Sequence, residues 1–179
     1  MSAIYPIARI SRAMSWLSFA GAMLWPASII AAFVYPDLMR PLNLQLHHLG
    51  ATLAGNIPLR WRLVALLAAA VPTGIAVWGL LALHRLFRLF TDGRFFSPLA
   101  LDALQSVTAS VFWYVVVAFF SEAPISMALT AGNPPGQHYI SFSIGLGDIA
   151  VLFLGGATLV IGRVMSEASR MAEENESIV

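Results

Sequence analysis

The 179-residue chain is 59% hydrophobic and only 11% charged, with a formal net charge of +1, whereas soluble domains average roughly 45–50% and 25%. A chain this apolar cannot cover its own surface with polar groups, so lipid must be its solvent. The small charge, with no basic run, offers no direct nucleic-acid-binding face, and the absence of cysteine excludes disulfides, zinc thiolates and thiol nucleophiles.

In chain order, "MSAIYPIARISRAMS" sets Arg9 and Arg12 before an apolar run too long for a signal h-region, so Ser15 onward is expected to be the first membrane helix. Four segments suffice to cross ~30 Å of hydrocarbon, which takes ~20 helical residues. They are Ser15–Tyr35, Leu63–Leu83, Ser106–Leu129 and Ser143–Gly162. The expected fold class is therefore all-α: an integral membrane four-helix bundle, one domain, with a tail over 163–179. Pro26 and Pro72 fall mid-span and predict kinks. The fourth span is rich in small residues (Ser143, Gly145, Gly147, Ala150, Gly155, Gly156, Ala157), which predicts close packing against other helices instead of lipid exposure. Trp16 and Trp61 fit interfacial anchors.

Arginine counting sets the expected orientation. With the N-terminus inside, the inner set is Arg9, Arg12, Arg85, Arg88, Arg94, Arg163 and Arg170, and the outer set is Arg40, Arg60 and Arg62. Seven against three places both termini in the cytoplasm. The outer loop 36–62 is open between a surface helix, through Leu42, Leu46, Leu49 and Leu53, and a strand, through the alternation of Leu42, Leu44 and Leu46. The second outer loop, "AGNPPGQHY", is a turn by composition.

The inner loop "RLFTDGRFFSPLALDAL" is more specific. His84, Arg85 and Arg88 are expected on one side of the continuing second helix, with Leu86, Phe87, Leu89 and Phe90 on the other. Gly93 is placed to end that helix in a left-handed conformation. Ser97 is the predicted N-cap of the next helix, Pro98 its first residue, and Phe96 with Leu101 a hydrophobic staple. The segment is thus a capped helix–turn–helix corner, with Arg85, Arg88 and Arg94 as candidate partner-binding residues.

This corner, within "LHRLFRLFTDGRFFSPLALDALQ", resembles the Gly-x-x-Phe-Ser-Pro/Ala corner of the domain-of-unknown-function 2975 family of small bacterial four-helix membrane proteins. The tail "VIGRVMSEASRMAEENESIV" resembles that family's closing segment through Glu173, Glu174 and Asn175, while Ser177 and Ile178 depart from it. The resemblance implies a multi-pass protein of the bacterial cytoplasmic membrane with no established activity. It also implies, by association, a small cytoplasmic helix-turn-helix transcription regulator as partner. In the tail, Val164, Ala168, Met171 and Ala172 form a weak apolar stripe, so the fourth helix is expected to continue into the cytosol. Glu173, Glu174 and Asn175 are candidate partner contacts there.

Glu122 and Asp148 are the candidate ligand- or ion-binding residues. Both fall toward the outer half of their spans, where an ionised carboxylate costs ~2.5 kcal/mol or more. They are expected either to face each other in the bundle or to lie at the interface with Arg40, Arg60 or Arg62. His47, His48 and His138 belong to outer loops and His84 stands alone, so neither metal nor haem is expected, and no cofactor. No nucleotide-binding, metalloprotease or nucleophile motif occurs. The expected function is a non-enzymatic regulatory or sensory membrane protein. The alternative is a small ion- or proton-coupled carrier using Glu122 and Asp148, which would have to form a homo-oligomer because no duplicated half is visible.

Overall fold

The computed structural model describes residues 4–35, 57–95, 97–133, 136, 138, 140–142 and 144–176. These form four helices: α1 (Ile4–Val34), α2 (Leu59–Thr91), α3 (Pro98–Thr130) and α4 (Leu146–Glu176). Each contains a stretch long and apolar enough to cross a membrane, namely Ala8–Val34, Leu59–Thr91, Pro98–Thr130 and Leu146–Val164. The all-α four-helix architecture expected from hydropathy is present, with helices that outrun the expected spans. Hydropathy marks where hydrocarbon is crossed, whereas a helix continues until its backbone bonds are broken. In α2 that happens only at Asp92 and Gly93. Pro26, Pro72 and Pro124 each lie inside a helix that continues on both sides. The outer-loop expectations, with Arg40, His47 and His48, lie outside the described residues.

The helices pack in chain order, α1 on α2, α2 on α3 and α3 on α4, the last over the smallest contact. What they bury is small. Among the described residues, the buried apolar side chains are seven alanines, Pro72, Leu86 and Leu129, and the buried polar ones are all serine or threonine. Large side chains point outward: Trp16 is 67% exposed and Phe153 81%. This inversion of a soluble core follows from the solvent. Lipid tails are as apolar as leucine, so helices associate by close van der Waals approach, which small side chains permit.

Buried hydroxyls must find acceptors without water, and several of them do so on their own helices. Ser18 donates to Met14 O (2.8 Å), Ser110 to Val107 O (2.7 Å), Ser126 to Ala123 O (2.9 Å) and Thr130 to Ser126 O (2.8 Å).

Three approaches set the register. On α1, Ser11, Ser15, Ser18 and Ala22 are buried at a helical repeat. Between α2 and α3, a Cβ added at Gly79 would lie 2.9 Å from Ser110 Cβ. Between α3 and α4, a Cβ at Gly155 would lie 2.8 Å from Val111 Cγ1, and one at Gly162 3.0 Å from Leu104 Cδ2.

The expectation that α4 turns its small residues to other helices is met at Gly155 and not around the helix. Gly147 and Gly156 face open space, and Leu146, Phe153, Leu154 and Val160 are exposed. The small residues of α4 are spread around its circumference, and α3 covers one stripe. Ser143 lies outside the described residues.

Candidate functional site

The corner between α2 and α3 is built as its residue types dictate. Gly93 has φ +75°. Its N–H donates to Phe90 O (3.2 Å), and that of Arg94 to Leu89 O (3.0 Å). This pair of crossed bonds is a Schellman motif, which satisfies the last carbonyls of α2. Ser97 then caps α3, accepting from Ala100 N–H at 3.3 Å while its hydroxyl donates to Arg94 O at 3.2 Å. One serine thus ties both halves of the turn. Leu86, Ala100 and Ala103 are buried beneath it, with Phe90 and Leu104 packed alongside. Phe96 lies outside the described residues, so the staple has no structural account.

The three corner arginines do not share a face. Arg85 reaches α3, where it pairs with Asp102 at 3.6 Å across two side chains 56% and 64% exposed. A pair this open contributes about 0–1 kcal/mol. His84 and Arg88 turn instead toward α1, and Arg94 is exposed on the turn. The expectation of one side for His84, Arg85 and Arg88 is thereby corrected. Residues 84 and 85 are ~100° apart on a helix, and α2 is clasped by α1 on one flank and α3 on another, so neighbouring positions meet different helices.

On the α1 flank, Ser15 and His84 join the two helices: His84 Nδ1 lies 2.9 Å from Ser15 Oγ and 2.9 Å from Ser15 O. A carbonyl can only accept, so Nδ1 carries the proton in that contact. The His84 ring also packs on Phe19, centroids 5.5 Å apart. Toward the corner, α1 and α2 border a cleft of about 370 Å³ whose walls include Arg12, Trp16, Arg88 and Asp92. A second, largely apolar cleft of about 530 Å³ runs between α3 and α4, past Phe112, Gly156 and Arg163.

At the other end, Asp148 and Glu122 are both half-buried, and no hydrogen bond or ion pair joins them. Asp148 has a local function. Its Oδ2 accepts the Gly145 N–H at 2.9 Å while its own N–H donates to Gly145 O at 3.1 Å. That is the acidic half of a capping box, with a negative charge on the positive end of α4. The Gly155–Val111 and Gly162–Leu104 approaches set α3 and α4 antiparallel. The same register brings Asp148 level with Ala118, four residues or ~6 Å short of Glu122. Neither carboxylate pairs with Arg60 or Arg62; Arg60 lies over the Trp61 ring at 5.9 Å, and Arg62 Nε is buried without a hydrogen-bond partner among the described residues. His138 Nδ1 bonds Thr130 O at 2.9 Å. Among the described residues no cluster of three His, Asp or Glu could hold a metal. The side chains of Glu173, Glu174 and Asn175 lie outside the described residues, although α4 runs through them as helix.

Sequence reasoning missed the α1–α2 cleft. Its signal was present in the Ser11, Ser15, Ser18, Ala22 repeat, which turns Arg12 and Trp16 to the flanks of the α2 contact.

Four lipid-compatible helices with hydroxyls bonded along their own backbones define a multi-pass membrane protein. The chain belongs to the family described as "Protein of unknown function (DUF2975)", which matches residues 13–179, nearly its full length. The likeness carried by the corner and the tail therefore extends through all four helices. No curated protein and no solved structure matches it.

Proposed function

We propose that this protein is a non-enzymatic regulatory component of the bacterial cytoplasmic membrane, whose corner end faces the cytoplasm and is bound there by a soluble partner. The observation that carries this reading is the build of the corner. A Schellman turn and a two-way Ser97 cap hold Arg94 on a rigid, exposed projection. Binding sites gain precision from such rigid supports. α4 adds a second element at this end: in the register set by Gly155 and Gly162, its last residues outrun the first turn of α3. The arginine distribution supports a cytoplasmic corner. The family resemblance points to a helix-turn-helix regulator as the partner.

The carrier reading draws less support, because Asp148 is engaged as a helix cap and the buried hydroxyls named above are bonded to backbone. The test is binding of the purified regulator to the full chain in nanodiscs. Retention by wild type and loss in Arg94→Glu is expected. Equal binding to both would refute the corner as docking site, and proton flux in liposomes abolished by Glu122→Gln would favour the carrier.

A further inference from the structure

We infer that the α1–α2 cleft at the corner end holds the phosphodiester headgroup of an anionic glycerophospholipid. Arg12 and Arg88 come from different helices yet line one cleft of about 370 Å³. The Ser15–His84 bond and the packing of Gly21 on Leu80 set α1 antiparallel to α2, and in that register residue 12 stands level with residue 88. Both arginines are exposed, and neither makes an ion pair among the described residues. Two guanidinium groups at one level on clasped helices repel each other, and a shared anion removes that repulsion. A phosphodiester suits them, because arginine's planar fork matches phosphate oxygens in pairs.

The other walls select a lipid. Trp16, 67% exposed, stands one helical turn beyond Arg12, the last charged residue before the uncharged run of α1. This is the depth at which indole rings occupy the headgroup boundary, and its outer face lies along the path of the glycerol backbone and first acyl carbons. His84 closes the inner wall with its ring fixed by Ser15 and Phe19, so the cleft floor is preformed. Asp92 is the acidic group facing the cleft. Beside two arginines it leaves a net positive charge, and its carboxylate accepts hydrogen bonds from headgroup hydroxyls, as glycerol has and choline lacks. Basic pockets between membrane helices are an established chemistry for anionic headgroups. The geometry is independent of which face of the membrane the corner occupies.

The shared chemistry is a phosphate anion, and the test separates its sources. The full chain in neutral detergent is titrated with phosphatidylglycerol, phosphatidylcholine or inorganic phosphate, with thermal unfolding as readout. Phosphatidylglycerol is expected to raise Tm by several degrees at micromolar concentration, and the other two to leave it unchanged. Arg12→Gln and Arg88→Gln should each weaken the response at least tenfold, and Arg163→Gln, outside the cleft, should not. Arg12→Lys, which keeps the charge and loses the fork, should weaken it less than Arg12→Gln. A matching shift with phosphatidylcholine, or with inorganic phosphate, overturns the lipid assignment. A full phosphatidylglycerol response in both glutamine variants overturns the site.

Discussion

His84 and Ser15, 69 positions apart, are joined by two contacts of 2.9 Å through a single imidazole nitrogen. The bond to the Ser15 carbonyl crosses from one helix to the backbone of another, so it fixes rotation as well as distance. Ser15 is 5% exposed and belongs to the stripe that α1 presents to α2. The first prediction concerns this bond. His84→Phe retains a ring against Phe19 and removes the nitrogen, and should cost about 0.5–2 kcal/mol, the range for interhelical polar contacts in membranes. Thermal unfolding in detergent measures it. Ser15→Ala should cost less, because the carbonyl acceptor remains; a larger loss there than in His84→Phe would place the stabilising contact on the hydroxyl.

The two glycines of α2 separate packing from propensity. At Gly79 an added Cβ meets Ser110 at 2.9 Å, whereas at Gly74 it meets nothing within 4 Å. Gly79→Ala must displace α3 and should destabilise by about 1–3 kcal/mol. Gly74→Ala gains helix propensity without a clash, up to ~1 kcal/mol in an exposed helix. Opposite signs in a single unfolding assay are expected. Destabilisation by both would mean that a further neighbour covers Gly74.

The corner is expected to be as demanding as its bonds imply. Ser97→Ala removes the acceptor of the Ala100 N–H and the donor to Arg94 O, at a cost of ~1 kcal/mol. Gly93→Val forces a β-branched residue to φ +75° and should cost more, at least the ~1–2 kcal/mol of a left-handed L-residue. Wild-type stability in both variants would remove the case for a rigid corner.

Local chemistry was the legible part of this chain. Gly93, Ser97 and Pro98 act within a few residues of themselves, and their types announce the turn. Helix rotation was not legible, because lipid-facing and helix-facing positions are both apolar and hydropathy barely distinguishes them. Arg85 and Arg88 lie only ~60° apart around the helix, yet one meets α3 and the other α1. Asp148 was legible in principle: an acid three residues after Gly145, at the start of an apolar run, is half a capping box. Its depth in the span is equally the signature of a buried charge, and the sequence alone does not separate the two.

Orientation has a clean readout because the chain has no cysteine. A cysteine at Gly93 should resist an impermeant thiol reagent in intact cells, while one at Gly136 should label. Both glycines have positive φ, so each variant needs a stability check. Labelling at Gly93 from outside would invert the arrangement and move the proposed docking face away from the cytoplasm.

The carboxylates decide between the two functional readings. If Asp148 is chiefly a cap, Asp148→Ala loses the bond from the Gly145 N–H and the favourable charge at the N-terminus of α4, costing ~1 kcal/mol. Asp148→Asn keeps an acceptor oxygen and should cost less. Neither cost should depend on Glu122, since the two side chains share no bond. A double-mutant cycle of Glu122→Gln with Asp148→Asn should therefore be additive within ~0.5 kcal/mol. A site in which two carboxylates share a proton or a cation behaves otherwise: the first neutralisation relieves repulsion and the second does not, so the cycle fails to close. Coupling above ~1 kcal/mol, joined to proton or cation flux in liposomes, would restore the carrier. Additivity without flux leaves Asp148 as the residue that starts α4, with no part in a shared site.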